Sequence, residues 1–420
     1  MQPPQKSNNL AIFIIGALFF IFGFITWANG TLIPYLKIAC ELQSNTMAFL
    51  VTFAFFIAYG IMAIPSSYIL KSTGYKRGMS IGLGIMALGA LVFVPAAYSR
   101  NFYLFLVGLF VIATGLTLLQ TASNPYVTVL GPLNSAAKRI SIMGVCNKVA
   151  GILAGLILGA IVLKDADALS IKLKTLDAAA KAIELDALAQ RVVVPYIIIS
   201  MSFAALAVAL HFMNLPEITD NNESENTIDD PRTSITQFPY LLLGALAIFM
   251  YVGVEVLSYD TIVNLGTFLK IPLDDAKYFA SFTGTFMLIG YFVGIVAIPK
   301  YISQEHALLV CTLLGMLLTV VILLTNGSVA VIALAACGIA NSLLWPVIWP
   351  LSIEKLGKFT KIGAALLIVG ITGGALIPPL YGLISDSGLG NKDAYIIMLP
   401  CYLYILWFGL RGHKIGKKHF

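Results

Sequence analysis

Three charged residues stand inside long apolar runs: Lys148, Glu255 and Asp260. A charge at the centre of a membrane-crossing helix costs at least about 2.5–3.5 kcal/mol. Each is therefore expected to face a wet cavity or an opposite charge. The apolar runs also carry amides, namely Asn29, Gln120, Asn124, Asn147 and Asn341. Gln120 and Asn124 are four apart and share a helix face. Aromatics accompany them: Trp27, Tyr126, Tyr251, Tyr259, Trp345 and Trp349, the last two again four apart. Amides and carboxylates donate to and accept from vicinal hydroxyls, and indole faces pack on the apolar C–H face of a ring. That chemistry suits a neutral polyol and suits a bulky hydrophobic compound poorly. An inert ion pair joining two helix bundles is the alternative for the charges, and lipid or helix packing for any one aromatic.

The elements that must position these residues follow from composition. The chain has 420 residues, 59% hydrophobic and 11% charged, with mean hydropathy +0.90. A soluble protein averages roughly 45–50% apolar and 25% charged residues. This excludes a soluble enzyme, a disordered chain and a nucleic-acid binder, and it predicts an all-α integral membrane protein. Apolar runs fall near 10–36, 45–70, 78–98, 102–130, 139–163, 192–214, 239–265, 276–298, 306–324, 329–353, 362–385 and 394–411. Each is long enough to cross a bilayer, which takes about 20 residues. The first run is too long for the core of a signal peptide and is expected to stay as a helix. Prolines inside the runs (Pro34, Pro125, Pro346, Pro350) predict kinks in runs 1, 4 and 10. The five cysteines form no CxxC pair and read as small core residues.

Charge sets topology. With the N-terminus inside, cytoplasmic segments carry fifteen Lys and Arg, while the short loops of the other face hold only Lys37, Arg100, Lys270, Lys277 and Lys392. The positive-inside rule then puts both termini in the cytoplasm. The predicted organisation is a six-helix bundle over 1–214, an acidic cytoplasmic linker over 215–238, and a second six-helix bundle with a basic tail over 239–420. The segment Ala166–Gln190 reads as one amphipathic, solvated surface helix, with cover for the outer mouth as the alternative.

Several strings resemble a known family. Asn29-Gly-Thr-Leu-Ile-Pro-Tyr-Leu36 and Gln120-Thr-Ala-Ser-Asn-Pro-Tyr-Val-Thr-Val-Leu-Gly-Pro132 resemble the major facilitator superfamily, in particular its fucose/galactose/glucose symporter branch. Lys138–Lys148, Tyr251-Val-Gly-Val-Glu255 and Trp345-Pro-Val-Ile-Trp-Pro350 are similar to the bacterial glucose/galactose transporters of that branch. The superfamily signature between runs 2 and 3 is degraded to Ser67–Arg77.

The resemblance implies two pseudo-symmetric halves, a central sugar site and rocking alternating access in a bacterial inner membrane. It implies a neutral hexose substrate of the glucose/galactose type, or a relative such as N-acetylglucosamine, and a co-transported cation. The expected substrate-binding set is Asn29, Gln120, Asn124, Asn147, Glu255, Tyr259, Asn341, Trp345 and Trp349. No catalytic residue, cofactor or nucleic-acid partner is expected, and the carrier is expected to be a monomer in its lipid bilayer.

One departure matters. The proton-coupled fucose carriers that this chain resembles hold an Asp and a Glu at the positions of Gly30 and Gln120, neither of which titrates here. Laying Gly30-Thr-Leu-Ile33 on Asp260-Thr-Ile-Val263 places Asp260 opposite Gly30 across the two halves. The coupling group is therefore sought among Lys148, Glu255 and Asp260, with Lys148 as a counter-charge. A carboxylate there would hold Na⁺ with nearby amide oxygens, or Asp260 or Glu255 would bind a proton. An exporter, an uncoupled facilitator and a non-transporting sensor remain open alternatives. A membrane enzyme is disfavoured, because the four histidines lie at run ends or in the tail, away from any Cys or Ser motif.

Overall fold

The computed structural model describes residues 6–129, 136–212, 234–298, 300–354, 356 and 359–417. The predicted linker lies outside the described residues as far as 233, as does the side chain of Tyr126. Among the described residues, eleven helical stretches are long and apolar enough to cross a membrane. One of them, Leu50–Ser99, has 50 residues, about 75 Å at 1.5 Å per residue, against a hydrocarbon core of about 30 Å. It is two crossings joined at Gly74, whose φ of 75° and ψ of 169° turn the chain. A positive φ is readily adopted by glycine and strained for most other residues. That makes twelve spans, arranged as two six-helix bundles.

We number them in chain order. Spans 1 to 6 are Phe13–Ala39, the two parts of Leu50–Ser99, Phe102–Asn124, Ile140–Lys172 and Ala178–Phe212; spans 7 to 12 are Pro239–Asp260, Leu273–Ala297, Gln304–Leu324, Ser328–Ile353, Ile362–Leu389 and Asp393–Leu410. Spans 1, 7, 10 and 11 are interrupted along their length; in span 11 a 3₁₀ turn, Gly370–Thr372, separates helices Thr360–Val369 and Gly373–Ile384. Span 1 breaks between helices Lys6–Trp27 and Asn29–Ala39, and span 10 between Ser328–Ser342 and Leu344–Ile353. Pro346 has no N–H to offer the Ser342 carbonyl four residues back, which accounts for the break in span 10. Span 7 breaks at Thr261 before resuming as Ile262–Phe268, with no proline to announce it. The predicted kink in span 4 does not interrupt it, since one helix runs Phe102–Val129 through Pro125.

Where helices touch closely, glycine permits it, as expected where lipid gives helices no hydrophobic reason to associate. A Cβ on Gly23 of span 1 would run into the backbone carbonyl oxygen of Asn147 on span 5.

On the face opposite the two chain termini, called here the far face, the halves are bridged in two pseudo-equivalent places. Asp386, at the end of span 11, accepts hydrogen bonds from the backbone N–H (2.9 Å) and Oγ1 (2.7 Å) of Thr46, just before span 2. Asp167, just after the span 5 helix Ala136–Val162, accepts from the backbone N–H of Leu273 (3.0 Å) and Asp274 (2.8 Å), where span 8 begins. Asp274 in turn accepts from the N–H groups of Ala166 and Asp167, both at 3.3 Å. The segment read as one surface helix is instead two, Ala166–Lys172 and Ala178–Gln190. The second is docked rather than solvated: Leu185, Leu188 and Ala189 are buried, and the Tyr35 hydroxyl donates to the Ala189 carbonyl at 2.7 Å.

Candidate functional site

Lys148 Nζ lies 2.8 Å from Glu255 Oε1, the two side chains only 4% and 9% exposed. Span 5 supplies the lysine and span 7 the acid, so the bond joins the two halves. The same ammonium sits 3.5 Å from the centroid of the Trp27 ring, a cation–π contact that further offsets its desolvation. Trp27 is itself oriented by donating its Nε1–H to Asn147 Oδ1 at 2.9 Å. The indole can approach span 5 because residue 151 is glycine, where a Cβ would meet Trp27 Cδ1 at 2.6 Å.

A cavity of about 120 Å³ opens beside this pair, between the halves. Its wall contains Gln120, Asn124, Asn147, Lys148, Glu255 and Trp345 from the predicted set, together with Trp27 and Tyr251. Trp345 is backed by Trp349, their rings stacked at 5.2 Å, and flanked by Tyr251 at 6.3 Å. The wall thus offers a carboxylate that accepts, an ammonium that donates, three amides that do both, and flat aromatic faces. That is the donor and acceptor inventory a polyhydroxylated ring requires.

The remaining predicted residues are placed elsewhere. Asn341 is fully buried and spends its amide on structure, donating to Ser258 Oγ at 3.2 Å and accepting from the Tyr402 hydroxyl at 2.8 Å, which ties spans 7, 10 and 12. Trp349 stacks behind Trp345, so only the first of that pair reaches the cavity. Tyr259 packs its ring 4.4 Å from the far side of Trp27, outside the wall. Asn29 is fully buried on span 1, beyond the cavity on the far-face side, with neither amide atom partnered among the described residues. Asp260 lies about 7–8 Å further along span 7 than Glu255, by helical rise, and is also outside the wall. Lys148 is therefore the partner of Glu255 and not of Asp260.

The structure adds Phe19 and Thr26 of span 1, Phe56 and Tyr59 of span 2, Ile140 and Gly144 of span 5, Val252 and Val256 of span 7, Tyr291 of span 8, Pro346 of span 10 and Ile371 of span 11. Apart from Pro346, which the sequence marks as a kink, these carried no sequence signal, because small, aromatic and aliphatic side chains inside apolar runs look the same whether they face lipid or cavity.

The family model of the Major Facilitator Superfamily matches residues 15–378. The chain belongs to this superfamily. A glucose/galactose transporter of Brucella abortus (strain 9-941) is 35% identical over 420 residues, covering 98% of this chain and 96% of that one. The L-fucose-proton symporter of Escherichia coli (strain K12) is 31% identical, covering 96% and 93%. Among solved structures, a superfamily transporter, FucP, captured in the outward conformation, superposes with a TM-score of 0.75 at 28% identity, covering 97% of this chain and 99% of that one. A D-xylose-proton symporter shares the fold at a TM-score of 0.68 and 16% identity. The fold and the relatives are those of multi-pass membrane transporters, within the fucose/galactose/glucose branch of the superfamily.

Proposed function

We propose that this superfamily member is a symporter that brings a neutral hexose of the glucose/galactose type into a bacterial cell together with a proton. The observation that carries this reading is the Lys148–Glu255 pair at the junction of the halves, set in a wall of amides and indoles. Sugar hydroxyls would donate to Glu255 and accept from Lys148 in place of their mutual bond. Gln120, Asn124 and Asn147 would take the remaining hydroxyls, and Trp345 would pack on the apolar face of the ring. Because the ion pair bridges the halves, a sugar inserted between its members changes how the halves are held together. This is the differential interaction that alternating access needs. The lysine and arginine bias puts the termini in the cytoplasm and makes the far face the outer one. In this conformation the outer face is closed by the Asp386 and Asp167 bridges. The relatives named for glucose, galactose and fucose transport support the substrate class.

The test is counterflow. Purified protein in proteoliposomes preloaded with D-galactose or D-glucose should take up labelled sugar transiently above equilibrium, and L-fucose should compete if the pocket is broad. Absence of counterflow for all three hexoses would refute the proposal.

A further inference from the structure

Asp260 is the last residue of the regular helix of span 7 and is 1% exposed. Its Oδ2 accepts one hydrogen bond, from Thr52 Oγ1 of span 2, at 3.3 Å, and its Oδ1 has no partner among the described residues. Facing it is Gly30 of span 1: a Cβ built there would stand 3.5 Å from Asp260 Oδ1, and equally from Tyr259 Cδ1 and Ala280 Cβ. The carboxyl therefore lies in the seam between the halves, outward of the sugar cavity and beneath the outer bridges.

Nothing described here neutralises it. Lys148 belongs to Glu255. On span 1, Lys37 donates to Asn45 Oδ1 at 2.6 Å and Tyr35 to the Ala189 carbonyl. On span 8, Lys277 is held by Asp274 at 2.7 Å and by the Leu163 carbonyl at 3.1 Å. The other titratable groups on the packed elements bring no positive charge: the phenols Tyr59 on span 2, Tyr259 beside it, Tyr278 and Tyr291 on span 8, Tyr381 on span 11, and Tyr395, which bonds Thr261 Oγ1 at 2.6 Å, and the acids Asp274 and Asp275 of span 8 and Asp386 of span 11. A lone carboxylate sealed away from water and from every cation is far too costly for one long hydroxyl bond to offset. A neutral carboxyl suffers no such penalty.

We propose that Asp260 is the proton-carrying group of this symporter, and that the outer halves close only once it is protonated. The proposal rests on the symport reading above. With the outer face open, the Asp260 carboxylate takes one proton from external water. The neutral acid is then buried against Thr52 and Gly30. When the opposite face opens, the acid returns the proton to water in the cavity, and no other bond is made or broken. Unused hydrogen-bonding capacity lies along this route. Asn29, one turn beyond the cavity-wall residue Thr26 on span 1, and the Tyr259 hydroxyl are without partners among the described residues. A proton fits better than Na⁺, because the one oxygen bonded to the carboxyl among the described residues is the Thr52 hydroxyl, whereas hard cations gather several oxygens.

The experiment uses reconstituted wild type, Asp260→Asn, and the swap Gly30→Asp/Asp260→Gly, which the 3.5 Å spacing places within reach of the same position. Galactose exchange without a gradient, accumulation under an inward proton gradient, and accumulation under a sodium gradient at equal pH are measured in parallel. Infrared difference spectra of the same samples record the C=O stretch of a protonated buried carboxyl. Wild type should accumulate galactose with protons and not with sodium. Asp260→Asn should exchange near normally, lose proton-driven accumulation at least tenfold, and lose the carboxyl band. The swap should restore both, which a merely structural aspartate would not do. Undiminished proton-driven accumulation or a persisting band in Asp260→Asn would overturn the proposal, and so would accumulation by wild type under sodium alone. If wild type exchanged no hexose, the transport reading would fall, while the infrared band would still decide whether Asp260 holds a proton.

Discussion

Replacing Lys148 by Met keeps the bulk of the side chain but leaves Glu255 buried without its counter-charge. Glu255 is 7% exposed, and its one cation lies 2.8 Å away. Removing one member of a buried pair costs about 3–5 kcal/mol, and a lone charge at mid-membrane about 2.5–3.5 kcal/mol on insertion scales. The two ranges overlap near 3 kcal/mol, the destabilisation expected for Lys148→Met. Losing the contact with Trp27 adds to it in the same direction. The double variant Lys148→Met/Glu255→Gln removes both charges and should recover most of that loss. It should still fail to bind sugar, because neither an ammonium nor a carboxylate remains to meet the hydroxyls. Equilibrium unfolding in denaturing detergent yields the coupling energy of this two-residue cycle, and hexose titration of the same samples yields affinity. Lys148→Met within about 1 kcal/mol of wild type would refute the burial argument. Wild-type affinity in the double variant would refute the assignment of the pair to the sugar site.

The remaining predictions concern the wall, the outer bridges and the helix contacts. Glu255→Gln exchanges charge-assisted hydrogen bonds for neutral ones, typically 1.5–3 kcal/mol, so galactose should bind roughly ten- to a hundredfold more weakly by titration calorimetry. Trp345→Ala removes a ring face and should weaken binding about tenfold, while unfolding stability changes less than in Lys148→Met. Asp386→Asn with Asp167→Asn weakens both bridges and should raise the population open at the far face several-fold, read as a longer distance between spin labels at Gln43 and Ser387; an unchanged distance distribution would show that the bridges do not hold the face shut. Gly23→Ala drives a methyl into the Asn147 carbonyl, with only backbone to give way. It should abolish monodisperse protein in detergent, and a normal yield would contradict the close crossing of spans 1 and 5.

Much of this molecule was readable from residue type alone. The twelve apolar runs could be counted because hydrocarbon thickness sets helix length. Lys148, Glu255, Gln120, Asn124 and Asn147 could be picked out because polar groups at that depth need a reason. Rotation about each helix axis was not readable. Span 10 is apolar on nearly all sides, so nothing marks Asn341 as turned toward Ser258 and Tyr402 or Trp349 as turned behind Trp345. The partner of Lys148 was ambiguous for a related reason. Glu255 and Asp260 are five residues apart, about 140° around an ideal helix, so one lysine cannot serve both, and only the packing of span 5 on span 7 decides between them. Gly30 and Asp260, overlaid by sequence, lie close together at the seam, a Cβ on Gly30 standing 3.5 Å from Asp260 Oδ1. The break in span 7 has no sequence mark, since no proline or glycine stands at Asp260–Ile262.

If a hexose binds between the halves at the Lys148–Glu255 pair, a structure with bound D-galactose should show the sugar ring against Trp345, hydroxyls within hydrogen-bonding distance of Glu255, Lys148 and at least one of Gln120, Asn124 and Asn147, and a Lys148–Glu255 separation longer than 2.8 Å. Galactose bound elsewhere, with that pair intact, would contradict it.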